Sequence, residues 1–421
     1  MKVLWFTNTP SCFKCRSNDY NGGGWISSLE NEIVNRFPDI KLGICFYYNH
    51  KEDEEHCGNV TYFPILRPKK NLLYSIRQLF TSKEKASKKH ENVSIPEILE
   101  IVNRYKPDII HVFGSENIYG LISNYTKTPV VLHIQGILSP IWNAYLPPFT
   151  NWYDVLFSSL NIYSIIAKCG EKFAWERNAI TERRMYKSIS HFMGRTKWDK
   201  AWVSLMNPTA RYYNCGELLR QTFYSSNYNR IIPHKAKFVT IISWPLYKGF
   251  DLVLKTVGFL NSINFDFEWD VYGNVNLEIA EKISKKKINQ CKGLKLKGVV
   301  DSESIKKALY ECTAYIHTSY IDNSSNAICE AQILGITCIA TNVGGTASLI
   351  KNYKTGLLIP SNDPLYLSYL MKWIYDNPDE NERIGKFSRE VATRRHDRKS
   401  IANRVIEIYQ EILDNTDKNE L

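Results

Sequence analysis

The chain has 421 residues, long enough for two domains that each bury a core. Its 44% hydrophobic and 23% charged residues are ordinary for a soluble globular protein. No apolar run approaches the roughly 20 residues that span a bilayer, and Met1-Lys2 leads straight into a strand pattern, so a cytoplasmic location is expected. The net charge of +11 bears on partners and not on fold: anionic substrates, anionic lipid and nucleic acid all suit it. The ten cysteines are scattered, as in a reducing compartment, and Cys12-x-x-Cys15 has no second pair at zinc spacing.

The first strand pattern is Val3–Thr7. Gly22, Gly23 and Gly24 precede an amphipathic helix over Trp25–Arg36. Glycines there let backbone approach a phosphate or sugar with helix N–H groups aimed at it; they equally suit a loop that needs positive φ. Leu42–Tyr48 is a second strand. Basic residues then crowd Arg67-Pro68-Lys69-Lys70 and Lys83, Lys85, Lys88 and Lys89, on either side of the apolar stretch Leu72–Phe80. That combination suits contact with an anionic membrane, or an ordinary solvated helix. Helix Ile95–Arg104 leads to strands Ile109–Phe113 and Val130–Ile134. The latter closes on His133, Gln135 and Gly136, where an imidazole or amide can hydrogen-bond a sugar hydroxyl. From about Asn151 to Arg220 the pattern is mostly helical.

Alternation resumes at Lys237–Ile242. Ser243-Trp244-Pro245-Leu246-Tyr247-Lys248-Gly249 ends that strand and opens helix Phe250–Leu260. A lysine beside a helix start suits phosphate. Tyr272-Gly273-Asn274 and Gly298-Val299-Val300 close two further strands and are placed to shape a base pocket with backbone groups. Helix Ser302–Leu309 and strand Ala314–His317 lead to the most informative stretch, Asp322–Gly345. Here a polar loop carries Asp322, Asn323, Ser324, Ser325 and Asn326; an apolar helix carries Glu330; Gly335 stops it; and a buried strand runs into Gly344-Gly345. Ser324, Ser325 and Asn326 can cap the helix and offer N–H donors. Capping accounts for Asp322 or Ser324 but not for a carboxylate inside an apolar helix.

Two rounds of strand–helix alternation predict the α/β class, with two doubly wound Rossmann-like domains and ligands beyond the carboxyl ends of the strands. The domains are expected over 1–225 and 226–393, with 394–421 a helix and tail packing toward the first domain.

Taken together these residues resemble the GT-B retaining glycosyltransferases of family 4. The family's Glu-x7-Glu, Gly and Gly-Gly pattern appears as Asp322-x7-Glu330, Gly335 and Val343-Gly344-Gly345. The N-terminal glycine loop, Asp108-Ile-Ile-His111, Lys248-Gly249, and Gly356-Leu357 with Asp363 extend the resemblance over most of the chain. Gly194-Arg195-Thr196-x-Trp198-Asp199 is similar to the branch found in bacterial surface-polysaccharide clusters.

The resemblance implies two domains facing across a cleft and transfer from a nucleotide sugar, such as a UDP- or GDP-sugar, to a glycan or lipid-linked glycan. Glu330 would hold the ribose and Asp322 the donor-sugar hydroxyls. Asn323, Ser324 and Ser325 would meet the diphosphate and sugar through their backbone, and Lys248 would neutralise the departing diphosphate. Ser243, Gly273, Asn274, Val299 and Asn326, with the glycine loop, would complete the donor site; His133, Gln135 and Arg195 would face sugar or acceptor. Three positions depart from the family pattern. Asp322 replaces Glu. Ser243 stands where the family has Arg, a cation that Arg195 is a candidate to replace. Gln135-Gly136 stands for His-Gly, which removes a sugar contact or transfers it to His133. No Asp-x-Asp is placed for a metal-dependent transferase, so neither metal nor other cofactor is expected. A GT-B-shaped epimerase would need further acid/base carboxylates across the cleft. A nucleic-acid-binding protein would rest on charge alone, with no recognised module, so no nucleic-acid partner is expected.

Overall fold

The computed structural model describes residues 1–15, 24–68, 80–159, 161–224 and 233–420. These residues fold as two compact units. Met1–Trp142, Ile162–Leu218 and Asp397–Leu421 make the first; Asn143–Asn161 and Leu219–His396 make the second. The division near the middle thus falls at Leu218/Leu219, whereas residue 225 lies outside the described residues. Asn143–Asn161, placed by sequence with the first domain, packs with the second unit.

The first unit holds an eight-stranded sheet. Its strands are β1 (Lys2–Thr7), β2 (Lys41–Tyr48), β3 (Glu55–Cys57), β4 (Val60–Leu66), β5 (Ile109–Phe113), β6 (Val130–His133), β7 (His191–Gly194) and β8 (Arg211–Asn214), in the order β3-β4-β2-β1-β5-β6-β7-β8. All neighbours are parallel except β3 with β4. Five of the six residues of β1 and all of β5 and β6 are buried, as expected for parallel strands covered on both faces. The helices of this unit include α1 (Gly24–Arg36), α2 (Lys83–Tyr105), α3 (Ile162–Ser188), α4 (Lys197–Met206) and, at the end of the chain, a helix over Arg398–Glu420. Thr196 and Asp199 form a reciprocal capping box that fixes the start of α4. Leu4, Phe6, Ile98, Val102, Ile110, Leu132, Tyr186 and Phe192 lie in its core.

The C-terminal helix covers the opposite face of the sheet, where Trp5 and His111 alternate with Leu4, Phe6 and Ile110. Tyr409 is buried, and its hydroxyl accepts from Trp5 Nε1 at 3.0 Å and lies 2.6 Å from His111 Nδ1. Arg398 pairs with Glu32 of α1.

The second unit holds a six-stranded, all-parallel sheet: β9 (Ala236–Ile242), β10 (Phe267–Gly273), β11 (Leu294–Gly298), β12 (Ala314–His317), β13 (Cys338–Thr341) and β14 (Leu357–Ile359), in the order β11-β10-β9-β12-β13-β14. Its helices include α5 (Phe250–Ser262), α6 (Leu277–Ser284), α7 (Ser302–Tyr310), α8 (Asn326–Ile333), α9 (Pro364–Asp376) and α10 (Pro378–Arg395); the helix at Arg398–Glu420 is then α11. The chain winds outward from β9 to β10 and β11, then returns to add β12, β13 and β14 on the other side. The winding reverses between β9 and β12, and in such sheets the ligand crevice lies beyond the carboxyl ends of the strands at that reversal. No described helix is long and apolar enough to cross a membrane.

Candidate active site

At the reversal point of the second unit, the loops leaving β9 and β12 are pressed together. Gly249 adopts φ +76°, and a Cβ there would fall 2.1 Å from the Thr318 carbonyl oxygen. Thr318 Oγ1 donates to the Lys248 carbonyl at 3.0 Å, and the Tyr320 amide donates to the Tyr247 carbonyl at 2.7 Å. This approach brings Lys248 Nζ to 2.8 Å from Asp322 Oδ2.

Asp322 is held from several directions. The same Oδ2 lies 3.1 Å from His317 Nε2 and accepts from Ser319 Oγ at 3.5 Å, while Oδ1 accepts from the Asn323 amide at 3.0 Å. Its carbonyl accepts from the Gly345 amide at 2.9 Å. Gly344, with φ +51°, passes so close that a Cβ would sit 2.0 Å from the Asp322 carbonyl oxygen. A glycine at 344, the first of the two after β13, is thus required by this contact. Burial alone would raise the Asp322 pKa, but the Lys248 charge and then the His317 hydrogen bond outweigh it and hold the carboxyl below the usual range. Burial would lower Lys248, and the Asp322 charge outweighs that, raising the ammonium above its ordinary value. The site therefore keeps a charged lysine beside a charged carboxylate at neutral pH.

Ser325 is the N-cap of α8, and its side chain makes no cap hydrogen bond. The first N–H groups of the helix thus carry no side-chain cap from Ser325, a suitable arrangement for an anion. Asn323 and Ser324 are buried in the preceding loop, and Ser325 and Asn326 are partly exposed. The Asn323 amide, expected to face the diphosphate, is occupied by Asp322 in this arrangement.

Glu330 is buried in the second turn of α8. Arg220 meets it in a two-pronged pair, Nε to Oε1 and Nη2 to Oε2, both at 2.7 Å. The guanidinium also lies over the Phe223 ring, 4.9 Å from its centroid. Burial would lower the Arg220 pKa, and the Glu330 hydrogen bond and charge more than compensate. The sequence reading did not single out Arg220, which stands 110 positions before its partner. The signal available was Glu330 itself, since a carboxylate buried in an apolar helix calls for a cation.

The other residues expected at the donor site lie at the same edge of the sheet. Ser243 is exposed directly after β9. Gly273 ends the adjacent β10 with φ +102°, and a Cβ there would fall 1.9 Å from the Ile242 carbonyl oxygen. Asn274 is exposed beside it; Val299, after the outermost β11, is also exposed.

In the first unit, Gly24 is the first residue of α1, whereas Gly22 and Gly23 lie outside the described residues. His133 is fully buried in an aromatic cluster. Its ring is 5.4 Å from His111, 5.6 Å from Trp25 and 6.0 Å from Phe113. The Cys215 backbone lies against the His133 ring and favours its protonated form, a contact that burial outweighs. Burial, then the Arg195 charge, pushes His133 down to about 3, so it is a neutral imidazole. Tyr409 accepts from Trp5 and shares a second hydrogen bond with His111 Nδ1, whose direction is set by the imidazole tautomer.

Arg195 is anchored by Glu217 Oε1 at 2.6 Å and donates to the Ile134 carbonyl at 2.8 Å. Gln135 bonds to the same Glu217, which burial pushes up to about 7 against the Arg195 charge. Arg195, Gln135 and His133 thus gather at the carboxyl ends of β6 and β7. Arg195 is committed within the first unit, while Arg220 supplies a cation in the second.

Residues 228–391 match the family model described as "Glycosyl transferases group 1". Solved structures match along almost the whole chain. Sucrose-phosphate synthase from Thermosynechococcus elongatus is 13% identical, covers 98% of this chain and 99% of its own, and superposes with a TM-score of 0.70. Anabaena HepE in complex with UDP-glucose is 12% identical, with 98% and 100% covered and a TM-score of 0.64. A mutant of S. aureus TarM, in complex with fondaparinux, alpha-GlcNAc-glycerol and UDP, is 11% identical, with 97% and 99% covered and a TM-score of 0.65. The fold is GT-B, and the matched domain supports glycosyl transfer as the class of activity.

Proposed function

We propose that the protein is a retaining, metal-independent hexosyltransferase of family 4, acting in bacterial surface-polysaccharide synthesis. It takes a sugar from a UDP- or GDP-sugar and gives it to a glycan or lipid-linked glycan in the cytoplasm, at the inner face of the membrane when the acceptor is lipid-linked. The observation that carries this reading is the Lys248–Asp322 pair at the reversal of the second sheet, beside the start of α8.

In this reading Lys248 and the first N–H groups of α8 receive the diphosphate. Charge grows on that group as the bond from the anomeric carbon to its oxygen breaks, and preorganised donors stabilise it there without reorganisation. The acceptor oxygen bonds the anomeric carbon on the face the diphosphate leaves, and the acceptor proton passes to a diphosphate oxygen. Asp322 meets donor hydroxyls, and Glu330, held by Arg220, accepts from the ribose. A carboxylate has about four lone-pair positions, so the two Arg220 bonds leave room for two hydroxyls. His133 and Gln135, as neutral groups, suit hydroxyls of sugar or acceptor. The chemistry needs no cofactor beyond the donor.

Titration calorimetry with UDP and GDP tests the first step, and turnover of a nucleotide-sugar panel with lipid-linked acceptors tests the second. One nucleoside diphosphate should bind, and Lys248→Ala should lose that binding. No binding of either, or turnover undiminished in Lys248→Ala, overturns the assignment. The anomeric configuration of the product, read by NMR, decides retention.

A further inference from the structure

Of the basic region expected to touch a membrane, 69–79 lie outside the described residues, while Lys83, Lys85, Lys88 and Lys89 fall in the first two turns of α2, where Lys83 pairs with Glu176. A different surface, in the second unit, has the chemistry for that contact. Asn143–Asn161 packs there as a built loop. Tyr145 stacks on Trp152 with ring centroids 5.7 Å apart, and Asn151 and Asp154 form a reciprocal capping box at the short helix Trp152–Leu156. Lys282 of α6 donates to the carbonyls of Asp154 and Phe157, at 3.2 and 3.0 Å.

This anchored loop nevertheless holds three aromatic side chains out of the protein. Phe149 is fully exposed, Tyr153 is 73% exposed and Phe157 50%. Tyr153 and Phe157 are four apart, and the Phe157 amide bonds back to the Tyr153 carbonyl, so they share one face. Phe149 stands at the tip of the turn closed by the Thr150 amide on the Pro147 carbonyl, with φ +63°. A bulky residue in that left-handed region is strained, and burial of its ring does not compensate for the strain here.

The adjoining surface is basic. Between Leu277 and Lys292 there are five lysines, at 282, 285, 286, 287 and 292, against Glu278 and Glu281. Glu281 is spent on Lys287 and on the Ile288 amide, and Asp154 on its capping box. Exposed aromatics beside lysines that outnumber the local carboxylates match the interface of an anionic bilayer, where rings enter the headgroup–acyl boundary and ammonium groups meet lipid phosphate.

We propose that Phe149, Tyr153 and Phe157, with the lysines that follow Lys282, form a docking surface for anionic lipid. It rests on the reading of a lipid-linked acceptor only for its setting. The test measures binding without donor or acceptor, so its failure and the failure of the transferase assignment are distinguishable.

The full chain is sedimented with vesicles of phosphatidylcholine alone and of phosphatidylcholine mixed with phosphatidylglycerol. The expected result is capture by the mixed vesicles. Phe149→Ser/Tyr153→Ser/Phe157→Ser should weaken it about tenfold or more while the thermal midpoint stays unchanged. Lys285→Glu/Lys286→Glu should weaken it similarly, and Lys354→Glu/Lys399→Glu, with the same charge change elsewhere, should not. No capture of the native chain overturns the proposal. So does capture that the aromatic substitutions leave intact, or self-association of the native chain that they abolish without any effect on vesicles.

Discussion

Arg220 and Glu330 face each other through two parallel hydrogen bonds of 2.7 Å, joining the segment that follows β8 to the middle of α8. The carboxylate proposed to accept from a ribose therefore has its orientation set by a residue that reaches it from 110 positions away. Removing either partner leaves the other in a poorly solvated place. Glu330→Ala and Arg220→Ala are each expected to lower unfolding stability by about 2 kcal/mol, with the double variant losing less than the sum. Arg220→Lys should recover only part of the nucleotide affinity lost in Arg220→Ala, since an ammonium cannot reproduce the fork. Denaturant unfolding and calorimetry with the nucleoside diphosphate check both. Additive losses would show that the pair is not coupled.

The Lys248–Asp322 pair sets an expectation for pH. Asp322 titrates below its unfolded value of about 3.9, so its contribution is present above that value and is lost as pH falls through the depressed folded one. Lys248 titrates above its unfolded value of about 10.4, so its contribution is present below that value and is lost as pH rises through the raised folded one. Between these limits the pair is constant, and diphosphate binding in the native chain should be flat from about pH 7.5 to 9, above the second ionisation of the ligand's terminal phosphate at about 6. Asp322→Asn removes the charge that outweighs burial at Lys248. Its affinity should then fall as pH rises across that window, measured by calorimetry at pH steps. A flat profile in the variant would mean that Asp322 does not hold the lysine charged.

Gly344 and Gly249 are tested by the smallest possible substitution. Each has positive φ and a carbonyl oxygen about 2 Å from where a Cβ would lie. Gly344→Ala and Gly249→Ala should each cost about 1–3 kcal/mol by thermal or denaturant unfolding, and each should weaken diphosphate binding by displacing the loop that it abuts. Unchanged stability in both would argue that these loops are not held in contact.

His133 separates packing from chemistry. His133 is fully buried and among the described residues the Cys215 backbone is its one weak polar contact, so His133→Phe removes a poorly satisfied polar group from an aromatic cluster. Stability should hold or rise by about 1 kcal/mol, while transfer falls if the imidazole meets a sugar hydroxyl. Full turnover in this variant would assign His133 to packing alone.

Much of the architecture is legible in the sequence because most strands are short apolar runs between loop residues. β1, β2, β5, β6 and β9 all show that pattern. The sequence reading missed β3, β4, β7 and β8. β4 carries Pro64, which weakens a strand pattern, and pairs with β3 on one side and β2 on the other. β7 and β8 have four residues each, and Arg211 and Asn214 of β8 are exposed, so the stretch around them reads as helical. At the candidate site, Lys248, Asp322 and Glu330 were visible because each is attached to a helix start and a loop signal. Arg220 was not, because its position is set by tertiary packing and no local pattern marks a distant partner. The placement of Asn143–Asn161 with the second unit has the same origin: aromatic stacking and Lys282 decide it, and neither has a fixed spacing in the chain.

The first unit takes a wall from α11, through Tyr409 against Trp5 and His111. During synthesis every residue of the second unit emerges before that wall exists. The second unit can therefore close on the ribosome while the first waits, half assembled, with the indole of Trp5 and the imidazole of His111 lacking the hydroxyl that joins them. A chain cut short within α11 would lose part of a core, and the damage would fall on residues translated hundreds of positions earlier.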